Sequence, residues 1–93
     1  MVTTIVNPNR YVFCDITNSC FIAECRDIFV IFDIIINTGL LFDKDNNEYY
    51  DIETGDIYVI IDTEKIRKDF WYSEQMQDNG IEYNSYSNII TIQ

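Results

Sequence analysis

Residues 28–36 read IFVIFDIII, an almost unbroken apolar run rich in β-branched and aromatic side chains. A run of this kind has to be covered by other parts of the chain, and its composition suits a central strand buried on both faces. It ends at Asn37-Thr38-Gly39, after which Leu40-Leu41-Phe42-Asp43 starts another short strand. A chain of 93 residues has room for one core, so residues 1–93 are expected to form a single domain around this strand.

The flanking segments alternate. In RYVFCDI, Val12, Cys14 and Ile16 fall on one face, and in FIAEC, Phe21, Ala23 and Cys25 do. A tight turn at Asn18-Ser19 sets Ile16 opposite Phe21 and Cys14 opposite Ala23, so the apolar faces coincide. The competing reading of this segment is a helix starting after Thr17 or Ser19 and ending near Arg26. Further on, Thr54-Gly55 is a turn between EYYDI and IYVII, pairing Ile52 with Ile57 and Tyr50 with Val59 on a core face. The opposite face then carries Tyr49, Asp51, Glu53, Asp56, Tyr58 and Ile60. Asn46 and Asn47 tolerate the left-handed conformation of a tight turn, which places Asp45 opposite Glu48 and Leu41 opposite Ile52.

Residues 62–78 read as the one helix, with Asp62 or Thr63 as cap, Glu64 at its positive end and Asn79-Gly80 as its stop. Its apolar line is Ile66, Phe70, Ser73 and Gln77 with Met76 beside it. IEYNSYSNIITIQ closes the chain as a hairpin or two short strands. The expected fold is α+β, an antiparallel sheet of about six strands with one helix.

Composition narrows the function. The net charge is -10, yet hydrophobic residues make up 47% of the chain and aromatics 15%, so the charge coats something that folds. Such a surface repels nucleic acid and anionic membrane and attracts a basic protein surface. MVTTIVNPNR lacks the basic start and apolar run of a secretory signal, and no stretch approaches about 18 apolar residues, so the expected location is the cytoplasm. Three cysteines, Cys14, Cys20 and Cys25, form no CxxC pair and read as reduced packing residues. With no histidine, and with Gly39, Gly55 and Gly80 far apart, neither an imidazole base nor a phosphate-cradling loop is available, and the expectation is a non-enzyme without cofactor.

Half of the net charge sits in DKDNNEYYDIETGD, residues 43–56, which holds six carboxylates and one lysine. Asp43, Asp45, Asn47 and Asp51 occupy positions 1, 3, 5 and 9 of an EF-hand-like calcium loop. Glu48 replaces the glycine at position 6, however, and Thr54 the bidentate glutamate at position 12. A calcium-binding module is therefore the weakest of three readings. In the second, these are solvated turns. In the third, Asp51 and Glu53, about 6.6 to 6.8 Å apart on one strand face, present charges spaced like successive phosphates to a basic groove. Exposed aromatics add anchors: Phe70, Trp71 and Tyr72 point about 100° apart on a helix, so one face cannot bury all three. Lys65, Arg67 and Lys68 balance neighbouring carboxylates.

In size, charge and the row Asp43, Asp45, Glu48, Asp51, Glu53 and Asp56, the chain resembles the small acidic inhibitors that phages and plasmids direct against host defence, the anti-CRISPR, anti-restriction and DNA-mimic proteins. That resemblance implies occupation of the nucleic-acid groove of a host nuclease or effector complex, in the host cytoplasm, with carboxylates in place of phosphates. Tyr49, Tyr58 and Trp71 complete the expected partner-binding set. The alternative is a structural or homodimeric module using exposed aromatics and sheet edges such as NIITIQ.

Overall fold

The computed structural model describes residues 2–93. The elements run β1 (Thr3–Val6), β2 (Tyr11–Asp15), β3 (Cys20–Cys25), α1 (Ile28–Thr38), β4 (Leu41–Asp43), β5 (Glu48–Tyr50), β6 (Ile57–Asp62), α2 (Thr63–Lys68), α3 (Phe70–Asp78), β7 (Ile81–Asn84) and β8 (Ile89–Ile92). The fold is α+β, with the strands divided between two antiparallel sheets, β3-β2-β6-β5-β4 and β1-β8-β7. Among the described residues there are three helices and eight strands, where one helix and about six strands are expected.

Four hairpins reverse in the same way. Each opens on Asp or Asn and closes, four residues later, on a residue with positive φ: Asp15 to Ser19, Asp43 to Asn47, Asp51 to Gly55 and Asn84 to Asn88. In each, the opening side chain accepts backbone N–H groups two or three residues ahead. Asp43 Oδ1 takes those of Asp45 at 3.1 Å and Asn46 at 3.4 Å, and Asp51 Oδ1 those of Glu53 at 2.8 Å and Thr54 at 3.4 Å. Asp15 takes Asn18, and Asn84 takes Tyr86 and Ser87. Short polar side chains that bond their own backbone are what stabilise such turns.

These four-residue loops correct the expected pairings. Tyr50 faces Ile57 and Tyr49 faces Tyr58, while Leu41 faces Tyr50 and Asp43 faces Glu48. Each pairing is two residues from the one a two-residue turn dictates, so the side-chain faces survive while the partners change. Strand β5 stops at Tyr50, and Ile52, expected in the core, is 73% exposed. The β2–β3 hairpin forms as a hairpin, which removes the helix reading of residues 20–26. Its register runs Asp15↔Cys20 and Cys14↔Phe21, then shifts between Phe13 and Cys14 so that Phe13 faces Ala23.

The largest correction concerns residues 28–36, which form helix α1 and not a central strand. An unbroken apolar run has no period of its own, so its ends decide. Asp27 caps the start, its carboxylate accepting the Phe29 N–H at 3.0 Å. Gly39 ends the helix at φ 71, a left-handed conformation that a glycine adopts without penalty. Ile31 and Ile35, one turn apart, are the buried contacts.

The segment 62–78 breaks at Asp69, which is extended (φ -117, ψ 107) and serves both as the end of α2 and as the cap of α3. Asp62 does cap α2, accepting from Glu64 and Lys65. Because α3 restarts in a new direction, Ile66, Tyr72 and Met76 are buried, and the expected line through Phe70, Ser73 and Gln77 is not. The Tyr72 hydroxyl accepts the Asp62 N–H at 2.9 Å and donates to the Ile60 carbonyl at 3.2 Å.

Both faces of the five-stranded sheet are covered. On one, Val12, Cys14, Val59 and Ile61 pack with Ile66, Tyr72 and Met76 and with Ile81, Ile90 and Ile92 of the small sheet. On the other, Phe13, Tyr49, Tyr58 and Ile60 pack under Ile31 and Ile35 of α1. C-terminal strand β8 is the middle strand of its sheet, so NIITIQ is not the free edge expected of it.

Candidate partner-binding surface

Strand β2 ends at Asp15 and β6 begins just after Asp56, so the β2–β3 turn and the β5–β6 loop lie side by side. The Ile16 N–H donates to the Ile57 carbonyl at 2.9 Å, and the Ile57 N–H to Thr17 Oγ1 at 2.8 Å. Asp15 pairs across the ladder with Tyr58. The Tyr58 hydroxyl is pushed above its ordinary value, first by burial and then by the negative charges of Asp15, Asp56 and Asp51. All three carboxylates therefore act on one phenol at one end of the sheet.

Asp43, Asp45 and Glu48 occupy the other end of β5. Because β5 has three residues, Glu48 and Asp51 lie only about 10 Å apart along it. Burial, then the charge of Asp43, pushes the Glu48 carboxyl up, whereas the Asn46 side chain holds Asp43 down through a 2.8 Å hydrogen bond. The expected Asp45–Glu48 opposition is thus an Asp43–Glu48 opposition. A cleft of about 240 Å³ between Asp43, Glu48, Tyr50, Gly55 and Ile57 joins the two groups of acids.

Not every expected contact residue reaches this surface. Tyr58 stacks on Phe13 with centroids 5.6 Å apart, and Tyr49 meets the same ring edge-on at 6.5 Å. Both lie half-buried beneath α1, because the face expected to be outward is the one this helix covers. Asp51 and Glu53 form a loop tip, not a strand ladder. Trp71 is 79% exposed and Phe70 68%, in edge contact at 5.6 Å. One helical turn after Trp71, Gln75 Nε2 donates to the Asn46 carbonyl at 3.4 Å, which brings the aromatic pair beside the Asp43–Glu48 turn. Ile52, between Asp51 and Glu53, adds an exposed apolar side chain that the strand reading hid. Asp15 was missed because it reads as one more polar residue in an alternating strand.

Among the described residues the ion pairs are Arg10 with Asp62 at 3.3 Å and with Glu64 at 3.1 Å. No carboxylate from Asp43 to Asp56 has a cationic partner there. No group of three or more Cys, Asp or Glu side chains converges with metal-binding geometry among the described residues. The DxDxN spacing belongs to the hairpin turn that Asp15, Asp51 and Asn84 also build. Cys14 is buried, Cys25 half-buried and Cys20 exposed, all as free thiols. No helix among the described residues is long and apolar enough to cross a membrane. Compared with protein-family models, with curated proteins and with solved structures, the chain matches none.

Proposed function

We propose that this protein is a non-enzymatic inhibitor that occupies a basic nucleic-acid-binding surface of a host defence nuclease or effector complex, in the cytoplasm of the host cell. The observation that carries the reading is the acidic margin of the sheet, where Asp43, Asp45, Glu48, Asp51, Glu53 and Asp56 have no cationic partner among the described residues. Like charges held this close cost stability in an isolated fold. A groove of lysines and arginines removes that cost and gains charge-assisted contacts, with long-range attraction speeding the encounter. Ile52 and Trp71 supply apolar contacts that phosphates lack.

The protein, immobilised, is exposed to host lysate at low salt, and captured proteins are challenged with competing DNA. A nucleic-acid-binding protein released by DNA and by salt is expected. Recovery of only acidic or neutral partners that DNA leaves in place would overturn the reading.

A homodimeric or structural module is the second reading, favoured by the outer side of α1, where Phe29, Val30 and Ile36 are exposed. Self-association that persists at high salt and depends on protein concentration would favour it over charge mimicry.

A further inference from the structure

The chain contains three arginines, Arg10, Arg26 and Arg67, and all three line one surface cleft of about 330 Å³ together with Thr63 and Glu64. Strand order explains the convergence. Arg10 precedes β2 and Arg26 follows β3, while Thr63 and Arg67 follow β6, and β2 lies between β3 and β6. The Thr63 N–H and hydroxyl both donate to the Arg10 carbonyl, at 2.8 and 2.9 Å, closing the floor of the cleft.

The three guanidiniums are not equally occupied. Arg10 is committed to Asp62 and Glu64. Arg67 donates through Nε to the Tyr83 hydroxyl at 2.8 Å, and that hydroxyl donates to Asn88 Oδ1 at 2.6 Å. The Tyr83 hydroxyl thus fixes the Arg67 guanidinium, whose central carbon lies 5.5 Å from the Tyr83 ring centroid, and its two terminal amino groups have no hydrogen-bond partner among the described residues. Arg26 has no side-chain partner among the described residues, and the neighbouring Asp27 carboxylate is used on the Phe29 N–H. Arg26 and Arg67 both line this one cleft, and among the described residues neither has a carboxylate bonded to it.

We propose that this cleft binds a small phosphate-bearing ligand, with Arg26 and Arg67 forking the phosphate oxygens and the Arg10–Glu64 pair forming the rim. Paired N–H forks match the spacing of phosphate oxygens, and several oxygens on one tetrahedral centre can serve guanidiniums arriving from different directions. The size is at the low end for ligand pockets, about 300 Å³, which fits a free phosphate or a small phosphomonoester. Duplex nucleic acid is excluded by the acidic remainder of the surface. The proposal is independent of the acidic margin and its partner.

The test follows the arginine Nε–Hε signals of the full chain by NMR during titration with inorganic phosphate, then with a nucleoside monophosphate, and with acetate as a carboxylate control. Saturable shifts at Arg26 and Arg67 are expected, with a weaker response to acetate. Tighter binding of the monophosphate than of free phosphate would identify an ester as the ligand, and the reverse a free anion. Arg26→Gln, which removes no side-chain hydrogen bond or ion pair among the described residues, is expected to keep the melting temperature and to weaken phosphate binding at least tenfold. Shifts that do not saturate, equal binding of acetate, or unchanged affinity in Arg26→Gln would each overturn the assignment.

Discussion

The five-stranded sheet has two ends of opposite character. Where β2 finishes and β6 starts, Asp15, Asp51 and Asp56 gather around Tyr58, and among the described residues no cation is bonded to them. Where β2 starts and β3 and β6 finish, Arg10, Arg26 and Arg67 gather around one cleft. The same strands deliver both groups, with Arg10 and Asp15 about 17 Å apart along β2. The difference shows that a net charge of -10 is not a uniform coat. Much of the acidity is also structural: Asp15, Asp27, Asp43, Asp51, Asp62 and Asp69 each hold backbone N–H groups at a turn or helix start. Charge and turn chemistry are separable, because asparagine keeps the side-chain acceptor and loses the charge.

That separation gives the largest expected effect. The triple change Asp51→Asn, Glu53→Gln and Asp56→Asn keeps the loop and removes three charges from the acidic end. Partner affinity should fall roughly 100-fold, at about 1 kcal/mol per charge, with a shallower salt dependence in calorimetric titrations. The same change at the arginine end, Arg26→Gln, should leave partner affinity within about twofold.

Next in size is Asp62→Ala, which removes the cap of α2 and the main partner of Arg10. A loss of about 1–2 kcal/mol in urea unfolding is expected, while Asp62→Asn should recover most of the capping part. Recovery by asparagine together with a shift of the Arg10 signal would separate the cap from the ion pair.

A third measurement reads the field at the acidic end directly. Burial and the surrounding carboxylates raise the Tyr58 hydroxyl, so the folded protein keeps its proton at a pH where the unfolded chain has lost it. Stability contributed in this way is complete below the ordinary value of about 10 and declines as pH rises beyond it. An NMR titration should find Tyr58 ionising above 10 and moving down in Asp56→Asn but not in Arg26→Gln. The sign is the same for Cys14, which burial pushes up to about 12. Unfolding free energy should therefore begin to fall above about pH 9, by roughly 1 kcal/mol per pH unit, with a smaller slope in Cys14→Ala.

The smallest effect is expected for Ile52→Ser. A core isoleucine would cost several kcal/mol, but the exposed loop tip should change stability by less than about 0.5 kcal/mol. Any loss of partner affinity in this variant would then report contact at the acidic end.

Local chemistry was legible from the chain alone wherever partners lie within about five residues of each other. Alternation in residues 11–15 marks a strand, Asp62 marks a helix start, and Asn46-Asn47 marks a reversal whose side-chain faces were right although its length was not. The apolar run at 28–36 was misread because hydrophobicity on every position hides the helical period, leaving Asp27 and Gly39 as the informative residues. Three consecutive aromatics on a helix require at least one to be exposed, and Phe70 and Trp71 are, whereas the expectation of an outward Tyr49 and Tyr58 fails because nothing local says that α1 packs over them.

Composition and turn chemistry settle that this is an acidic, mixed α and β domain with Asp- and Asn-opened reversals, because those outcomes follow from each residue and its near neighbours. Which carboxylates meet around Tyr58, and that Arg10, Arg26 and Arg67 meet at all, depends on β2 lying between β3 and β6. That order joins residues as far apart as 10 and 67, and pairing over such separations leaves no trace in the local pattern.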